Sequence, residues 1–144
     1  MIQAETAVAR FFQLYAQKTR EDNIPALISQ FTDPFVSADP HGTRCVRVDD
    51  FAAALPKRKM LFDRLGCKPA ALVSLHETQL DSRYVLTKTT WRFDFAGAKS
   101  GNSEQVLADS TFLVDTGGEE FKIVMYMAHQ DIMQVLRDRG ILQS

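Results

Sequence analysis

The stretch 121–129, FKIVMYMAH, is the feature of this chain that most constrains its fold. It is apolar at nearly every position and too short for a typical helix, so it is predicted to be a strand. A strand with alternating apolar residues buries one face. A strand whose odd-numbered and even-numbered positions are both apolar buries two faces. The rest of the chain must therefore supply a cover for each face of the sheet that contains this strand.

Two helices are predicted at the beginning of the chain. Residues 4–18 repeat apolar side chains at spacings of three and four, which is typical of an amphipathic helix with Tyr15 on its buried stripe. Asn23 is a suitable N-cap for a second, short helix with Phe31 on its inner face. Asp33-Pro34 is predicted to close that second helix.

A hairpin and a third helix follow. The sequence Asp39-Pro40-His41-Gly42 favours a type I turn between short strands at 35–39 and 44–46. Asp49 and Asp50 then favour a helix start, and the apolar stripe continues to Gly66, interrupted by Pro56. The pattern predicts one kinked helix or two helices in series.

After Pro69 the apolar period changes from three-and-four to two, and short polar turns separate the segments that follow, which indicates an antiparallel meander. The predicted strands cover residues 70–80, 84–95, 105–114 and 121–129. A closing helix is predicted from Asp131 to Gly140. Helices followed by a long meander indicate an α+β fold, with the helices gathered on one side of a curved sheet.

Alternation assigns side chains to two rows of the sheet. Trp91 and Phe93 share one row, and Ser110 and Phe112 share the matching row of the next strand. In the last strand, alternation places one set towards the helices and the other on the outer face. The inner set is Phe121, Ile123, Met125, Met127 and His129; the outer set is Val124, Tyr126 and Ala128, joined by Leu107 and Leu113 of the neighbouring strand.

The outer face needs its own cover, because the helices can protect only one side of the sheet. A second copy of the chain packed on Leu107, Leu113, Val124 and Tyr126 is the expected cover, which predicts a homodimer. The alternative is that the closing helix lies over this face.

Composition argues against several classes of partner. A net charge of −1 over 144 residues produces no field that would attract nucleic acid or an anionic membrane, and the basic triplet 57–59 is interpreted as a solvated helix face. No signal peptide or membrane span is apparent, and Cys45 and Cys67 are interpreted as reduced thiols, so a cytoplasmic location is expected. His41 and His76 share no ligand spacing, so neither a metal nor another cofactor is expected.

In the order of its elements, the chain resembles the nuclear transport factor 2-like superfamily, a curved α+β cone that includes ketosteroid isomerase, scytalone dehydratase and polyketide cyclases. Ketosteroid isomerases carry a Tyr on the first helix and an Asp-Pro at the end of the first strand, matched here by Tyr15 and Asp39-Pro40. The resemblance implies a phenol and a carboxylate in one pocket. Where those isomerases place a protonated Asp, this chain has Ser110, which is a weaker donor.

Four residues are candidates for catalysis. Asp39 is a candidate general base, or else a turn residue that caps the backbone. Tyr15 is a candidate oxyanion donor, assisted by Ser110, or else a core residue. His129 is a candidate acid or base, or else it caps the closing helix or bonds to Asp131.

The sequence leaves two classes of function open. A concave apolar pocket would bind a small apolar or aromatic molecule and could support cofactor-free isomerisation, dehydration or cyclisation. The same fold could instead serve as a non-catalytic ligand-binding or protein-interaction module. The expected pocket wall, which could equally be plain core, consists of Phe35, Trp91, Phe93, Phe112, Met125 and Met127.

Overall fold

The computed structural model describes residues 6–96 and 104–142, and its helices and strands follow the predicted order. The helices are Ala7–Arg20 (α1), Ile24–Ile28 (α2), Val48–Arg64 (α3) and Ile132–Asp138 (α4). The strands are Phe31–Asp39 (β1), Gly42–Val46 (β2), Ala71–Gln79 (β3), Tyr84–Phe95 (β4), Glu104–Asp115 (β5) and Lys122–Ala128 (β6).

The strands form one sheet in the order β2-β1-β6-β5-β4-β3. Only the β1–β6 pair is parallel among the described strands; β1–β2 and the β3–β6 meander are antiparallel. The α+β class and the mostly antiparallel sheet are therefore confirmed. We call the side of the sheet that meets α1 the helical face and the other side the outer face.

The segment around Phe31 differs from its prediction. α2 ends at Ile28, and Phe31 begins β1, where it pairs with Ile123 of β6. The Ile123 amide donates to the Gln30 carbonyl at 2.7 Å, so pairing with the sheet replaces the last predicted turn of helix. Pro34 consequently lies inside a strand and does not terminate a helix.

The third helix is continuous from Val48 to Arg64 and contains Pro56. Its N-terminal residue Val48 donates its amide to Asp33 Oδ1 at 3.2 Å, and Arg47 also contacts that carboxylate through Nε at 2.8 Å. A carboxylate on β1 thus provides the helix cap, in place of the acceptors that were expected on the helix itself. The φ of Gly66 is +71°, in the left-handed region that favours glycine, directly after the C-cap.

Two hydrophobic clusters fill the space between the helices and the helical face. In the first, Phe12 of α1 is fully buried, and its ring centroid lies 4.8 Å from that of Phe112. In the second, Leu136 of α4 is fully buried and packs with Phe62 of α3 and Phe95 of β4. α4 therefore closes one end of the helical face, and the alternative that it covers the outer face is wrong.

A β-bulge in β6 reverses the predicted rows beyond Val124, whereas Ile123, before the bulge, lies on the helical face as predicted. Ile123 pairs with Val114 of β5, but Met125 pairs with Leu113, so the register shifts around Val124. Beyond the bulge Tyr126 pairs with Phe112 on the helical face, whereas Met127 pairs with Thr111 on the outer face. The predicted placement of Met125, Met127 and His129 towards the helices, and of Tyr126 and Ala128 on the outer face, is wrong because a bulge shifts alternation by one residue.

Within residues 6–96 and 104–142, no helix combines the length and the apolar character needed to cross a membrane.

Candidate functional site

A cavity of about 300 Å³, the first cavity, lies between α1–α3 and the helical face of β4–β6. Trp91 and Phe93 of β4, Ser110 and Phe112 of β5, and Tyr126 of β6 contribute side chains from the sheet. Tyr15, Phe51, Leu55 and Phe62 line it from the helices. Alternation along β4 and β5 had placed Trp91, Phe93, Ser110 and Phe112 on this one face of the sheet.

Aromatic rings form the wall of this cavity. The rings of Phe112 and Tyr126 are stacked, with centroids 5.1 Å apart and planes inclined by 16°. Tyr15 meets Phe112 edge-on at 5.6 Å and lies 5.8 Å from Trp91, again measured between centroids. Rings that are held by one another in this way present a firm apolar surface to a flat ligand.

The hydroxyl of Tyr15 is a polar group on this apolar wall. It makes no hydrogen bond within the part of the chain that the structure describes. Burial raises the pKa of Tyr15 well above its ordinary value, Tyr126 raises it further, and Arg58 acts in the opposite direction. Tyr15 is therefore protonated at physiological pH and available as a hydrogen-bond donor.

Ser110 and Trp91 are held in place by hydrogen bonds in the sheet. Trp91 Nε1 donates to Thr89 Oγ1 at 2.8 Å, and Thr89 Oγ1 donates to the Ser110 carbonyl at 3.1 Å. The Ser110 side chain is nearly buried and lines the first cavity. The Trp91 ring is fixed by its own hydrogen bond, and the Ser110 hydroxyl supplies a second polar group in the lining that includes Tyr15.

Asp39 lies in an adjoining space, the second cavity, of about 530 Å³. Its Oδ1 accepts the His41 amide at 2.8 Å, and its Oδ2 lies 4.0 Å from Arg44 Nη2. This is the turn-capping arrangement that was the alternative to a general base. Tyr15 lines the first cavity and Asp39 the second, so the phenol and the carboxylate do not share one space; Arg58 and Tyr126 border both.

Three further predicted site residues lie away from the first cavity. Met125, Met127 and His129 follow the bulge on the outer face, and His129 Nε2 is 2.6 Å from Thr111 Oγ1. The expected bond between His129 and Asp131 is instead made by His41, whose Nε2 lies 2.7 Å from Asp131 Oδ2. Phe35, also expected in the pocket wall, is 2% exposed and belongs to the core, bordering only the second cavity.

Two residues of the site escaped the sequence analysis. Tyr126 was assigned to the wrong face. In a strand that is apolar on both faces, the alternation of apolar and polar residues is absent, so nothing in the sequence marks a bulge. The basic triplet is exposed as predicted, but Arg58 also lies three residues after Leu55 and four before Phe62, and all three residues line the first cavity. That helical spacing was a usable signal that Arg58 faces the same space.

No group of three or more His, Cys, Asp or Glu side chains suited to a metal ion occurs among the described residues. His76 is exposed on β3, and His41 is engaged with Asp131.

No protein-family model matches the chain, and no curated protein matches it. Several solved structures, however, are similar to this chain. The protein Aln2 from a Streptomyces species superposes with a TM-score of 0.71 at 11% identity, over 92% of this chain and 98% of that one. A nuclear transport factor 2-like protein with a cystatin-like fold from Novosphingobium aromaticivorans gives a TM-score of 0.69 at 12% identity, over 95% of this chain and 87% of that one.

A candidate scytalone dehydratase, also from Novosphingobium aromaticivorans, gives a TM-score of 0.67 at 10% identity, over 85% of this chain and 80% of that one. At such identities the likeness shows the fold alone. The cone-like α+β fold of these proteins, which the sequence resemblance implied, is the fold of this chain.

Proposed function

We propose that this chain, with its nuclear transport factor 2-like fold, binds a small, flat, largely apolar organic molecule in the first cavity. The observation that carries the proposal is the stacked pair Phe112 and Tyr126, flanked by Tyr15 and Trp91 around a space of about 300 Å³. Apolar cavities of this size with a few polar groups are typical of small-molecule sites.

The proposal is tested with N-phenyl-1-naphthylamine, a neutral dye whose fluorescence rises in an apolar environment. Ala108 lines the first cavity opposite Trp91, so Ala108→Leu removes free volume. We expect saturable binding to the natural sequence and at least a tenfold weaker Kd for Ala108→Leu. Ala53→Leu makes the same change at an exposed position of α3 outside both cavities and should leave the Kd unchanged. Equal effects of the two variants would place the dye elsewhere.

A second candidate function is cofactor-free proton transfer, as in isomerisation, dehydration or cyclisation. It is favoured by the protonated, unpartnered Tyr15 hydroxyl and by the likeness to a candidate scytalone dehydratase. Tyr15 would donate to a developing oxyanion, with Ser110 as a second donor. Asp39 would serve as base only by reaching a substrate that extends into the second cavity.

The catalytic proposal is tested on any substrate that the protein turns over. Tyr15→Phe should lower kcat by about 10²–10³, the usual effect of removing one oxyanion donor, while thermal unfolding changes little. Asp39→Asn distinguishes a general base from a residue that only caps the turn. Full turnover by this variant would exclude Asp39 as the base. Since His129 faces the other side of the sheet, His129→Gln should leave turnover unchanged.

We also propose that a second copy of the chain covers the outer face. Leu107 is 58% exposed there, and Leu113, Met125 and Met127 continue the apolar surface across β5 and β6. The whole chain carries a net charge of only −1, so two copies repel each other weakly. A two-fold arrangement would bring the same patch of each copy together.

A further inference from the structure

We propose that the ligand of the first cavity carries an anionic group, a carboxylate or a sulfonate, and that Arg58 binds this group. The inference rests on the proposed binding function and adds the chemical class of the ligand. It is carried by the place of Arg58 between the two cavities and by the charges around the first cavity.

Arg58 is an exposed residue of α3 that borders both cavities. Its guanidinium carbon lies 5.0 Å from the ring centroid of Phe62, one helical turn further along the same stripe. Stacking on an aromatic ring positions the guanidinium while leaving its N–H groups free to donate. An aromatic wall therefore continues directly into a preoriented cation.

No carboxylate within the described residues forms an ion pair with Arg58. By contrast, Arg47 is paired with Asp33 at 2.8 Å and Arg83 with Asp115 at 2.7 Å. The paired arginines tie structural elements together. The guanidinium of Arg58 retains its capacity for bidentate recognition of an external anion.

The other charges around the first cavity favour the same ligand. Five of its lining side chains are cationic and three are acidic. Asp63 is paired with Lys59 at 2.9 Å, which leaves four cationic and two acidic side chains in the lining. The residual charge is positive, so an anion entering the cavity is attracted rather than repelled.

Tyr15 lines the first cavity together with Arg58. The positive charge of Arg58 stabilises the phenolate and acts against the burial that raises the pKa of Tyr15. A ligand that fills the first cavity with its anionic group on Arg58 would also meet the protonated phenol of Tyr15, which can donate a hydrogen bond to it. The aromatic stack holds the flat part of the ligand, and Arg58 with Tyr15 orients its charged end.

The test compares two dyes with the same aromatic skeleton. N-phenyl-1-naphthylamine is neutral, and 8-anilinonaphthalene-1-sulfonate carries one sulfonate. We expect the natural sequence to bind the sulfonated dye about tenfold more tightly than the neutral dye, and about 0.5 M NaCl to reduce this preference. Arg58→Gln should weaken binding of the sulfonated dye about tenfold and leave binding of the neutral dye within twofold.

Arg64→Gln is the matched control, because Arg64 lies on the same helix and borders neither cavity. It should change neither Kd, and thermal unfolding of both variants should confirm that they are folded. Equal weakening of both dyes by Arg58→Gln, or no preference for the sulfonated dye in the natural sequence, would overturn the inference and leave the binding function standing. Failure of both dyes to bind would overturn the two proposals together.

Discussion

Tyr126 of β6 stacks on Phe112 of β5, with 5.1 Å between the ring centroids and 16° between the ring planes. This contact exists only because the register of β6 shifts at Val124, which turns Tyr126 towards the helices and Met125 away from them. A single bulge thus decides which side chains of the last strand can meet a ligand.

Tyr126→Ala should weaken binding of N-phenyl-1-naphthylamine at least tenfold, because it removes half of the stacked pair that lines the first cavity. Met125→Ala should change the Kd less than twofold, since Met125 lies on the other side of the sheet. Dye titration measures both, with thermal unfolding as the check on folding. If Met125→Ala weakened binding and Tyr126→Ala did not, the bulge would be misplaced.

Phe12 should contribute strongly to stability, because its side chain is fully buried against Phe112. Phe12→Ala is expected to lower the free energy of unfolding by about 3–5 kcal/mol, the usual range for a buried Phe replaced by Ala. Leu14→Ala on the same helix changes a side chain that is 44% exposed and should cost less than about 1 kcal/mol. Urea unfolding followed by Trp91 fluorescence measures both values; similar losses would argue against the packing of α1.

The succession of helices and strands could be predicted from sequence, because apolar period and turn chemistry are local properties. The row shared by Trp91 and Phe93 and the row shared by Ser110 and Phe112 also follow from simple alternation, and the structure pairs these rows across β4 and β5. In a regular strand without a bulge, each side chain stays on the face that alternation assigns to it. The side chains that β4 and β5 contribute to the first cavity could therefore be predicted.

The residues that were misplaced all depend on tertiary contacts, which local sequence patterns do not encode. Tyr126 and Met125 exchange faces at a bulge inside a strand that is apolar at both parities, so no hydrophobic pattern marks the shift. Phe31 pairs with a strand about ninety residues further along the chain, and local helix propensity cannot foresee that partner. Arg58 has a charged head on an apolar stripe, and its position at the border of both cavities depends on the cavity shape that the tertiary fold creates.

Cys67 should react slowly with thiol reagents. Burial, followed by the negative charge of Asp94, raises the pKa of the Cys67 thiol to about 11. At pH 8 only about one such thiol in a thousand is ionised, and the thiolate is the reactive form. With 5,5′-dithiobis(2-nitrobenzoate), the exposed Cys45 should give a fast phase and Cys67 a phase about a hundredfold slower.

Cys45→Ser identifies the phases, because it should remove the fast phase and leave the slow one. A bound dye should slow the remaining phase further, since Cys67 lines the first cavity. A fast reaction of Cys67 in the Cys45→Ser variant would contradict the raised pKa of this half-buried thiol.

The contact between His41 and Asp131 should make stability depend on pH. The hydrogen bond to Asp131 raises the pKa of His41, with help from the charge of Asp39, and the same contact lowers the pKa of Asp131. The His41 contribution is therefore complete below its unfolded pKa near 6.5 and is lost as pH rises through the higher folded value. The Asp131 contribution is present above its unfolded pKa near 3.9 and is lost in acid.

The pair should consequently stabilise the fold most between about pH 4 and 6.5. We expect the Tm of the natural sequence to fall more than that of His41→Gln between pH 5.5 and 8.5, by a small amount because His41 is 74% exposed. His76→Gln, at an exposed position of β3, is the control and should retain the natural pH dependence. Parallel Tm curves for His41→Gln and the natural sequence would show that the contact has no effect on stability.

The outer face provides the sharpest test of self-association. If two copies pair through Leu107 and its neighbours, Leu107→Glu places a carboxylate from each copy in the apolar interface and should raise the dimer Kd at least a hundredfold. Met60→Glu makes a similar change at a 54% exposed position of α3, away from the sheet, and should leave the dimer intact. Sedimentation equilibrium at micromolar concentration distinguishes the outcomes. A natural sequence that sediments as a monomer, or two variants that dissociate equally, would rule out this face as the interface between copies.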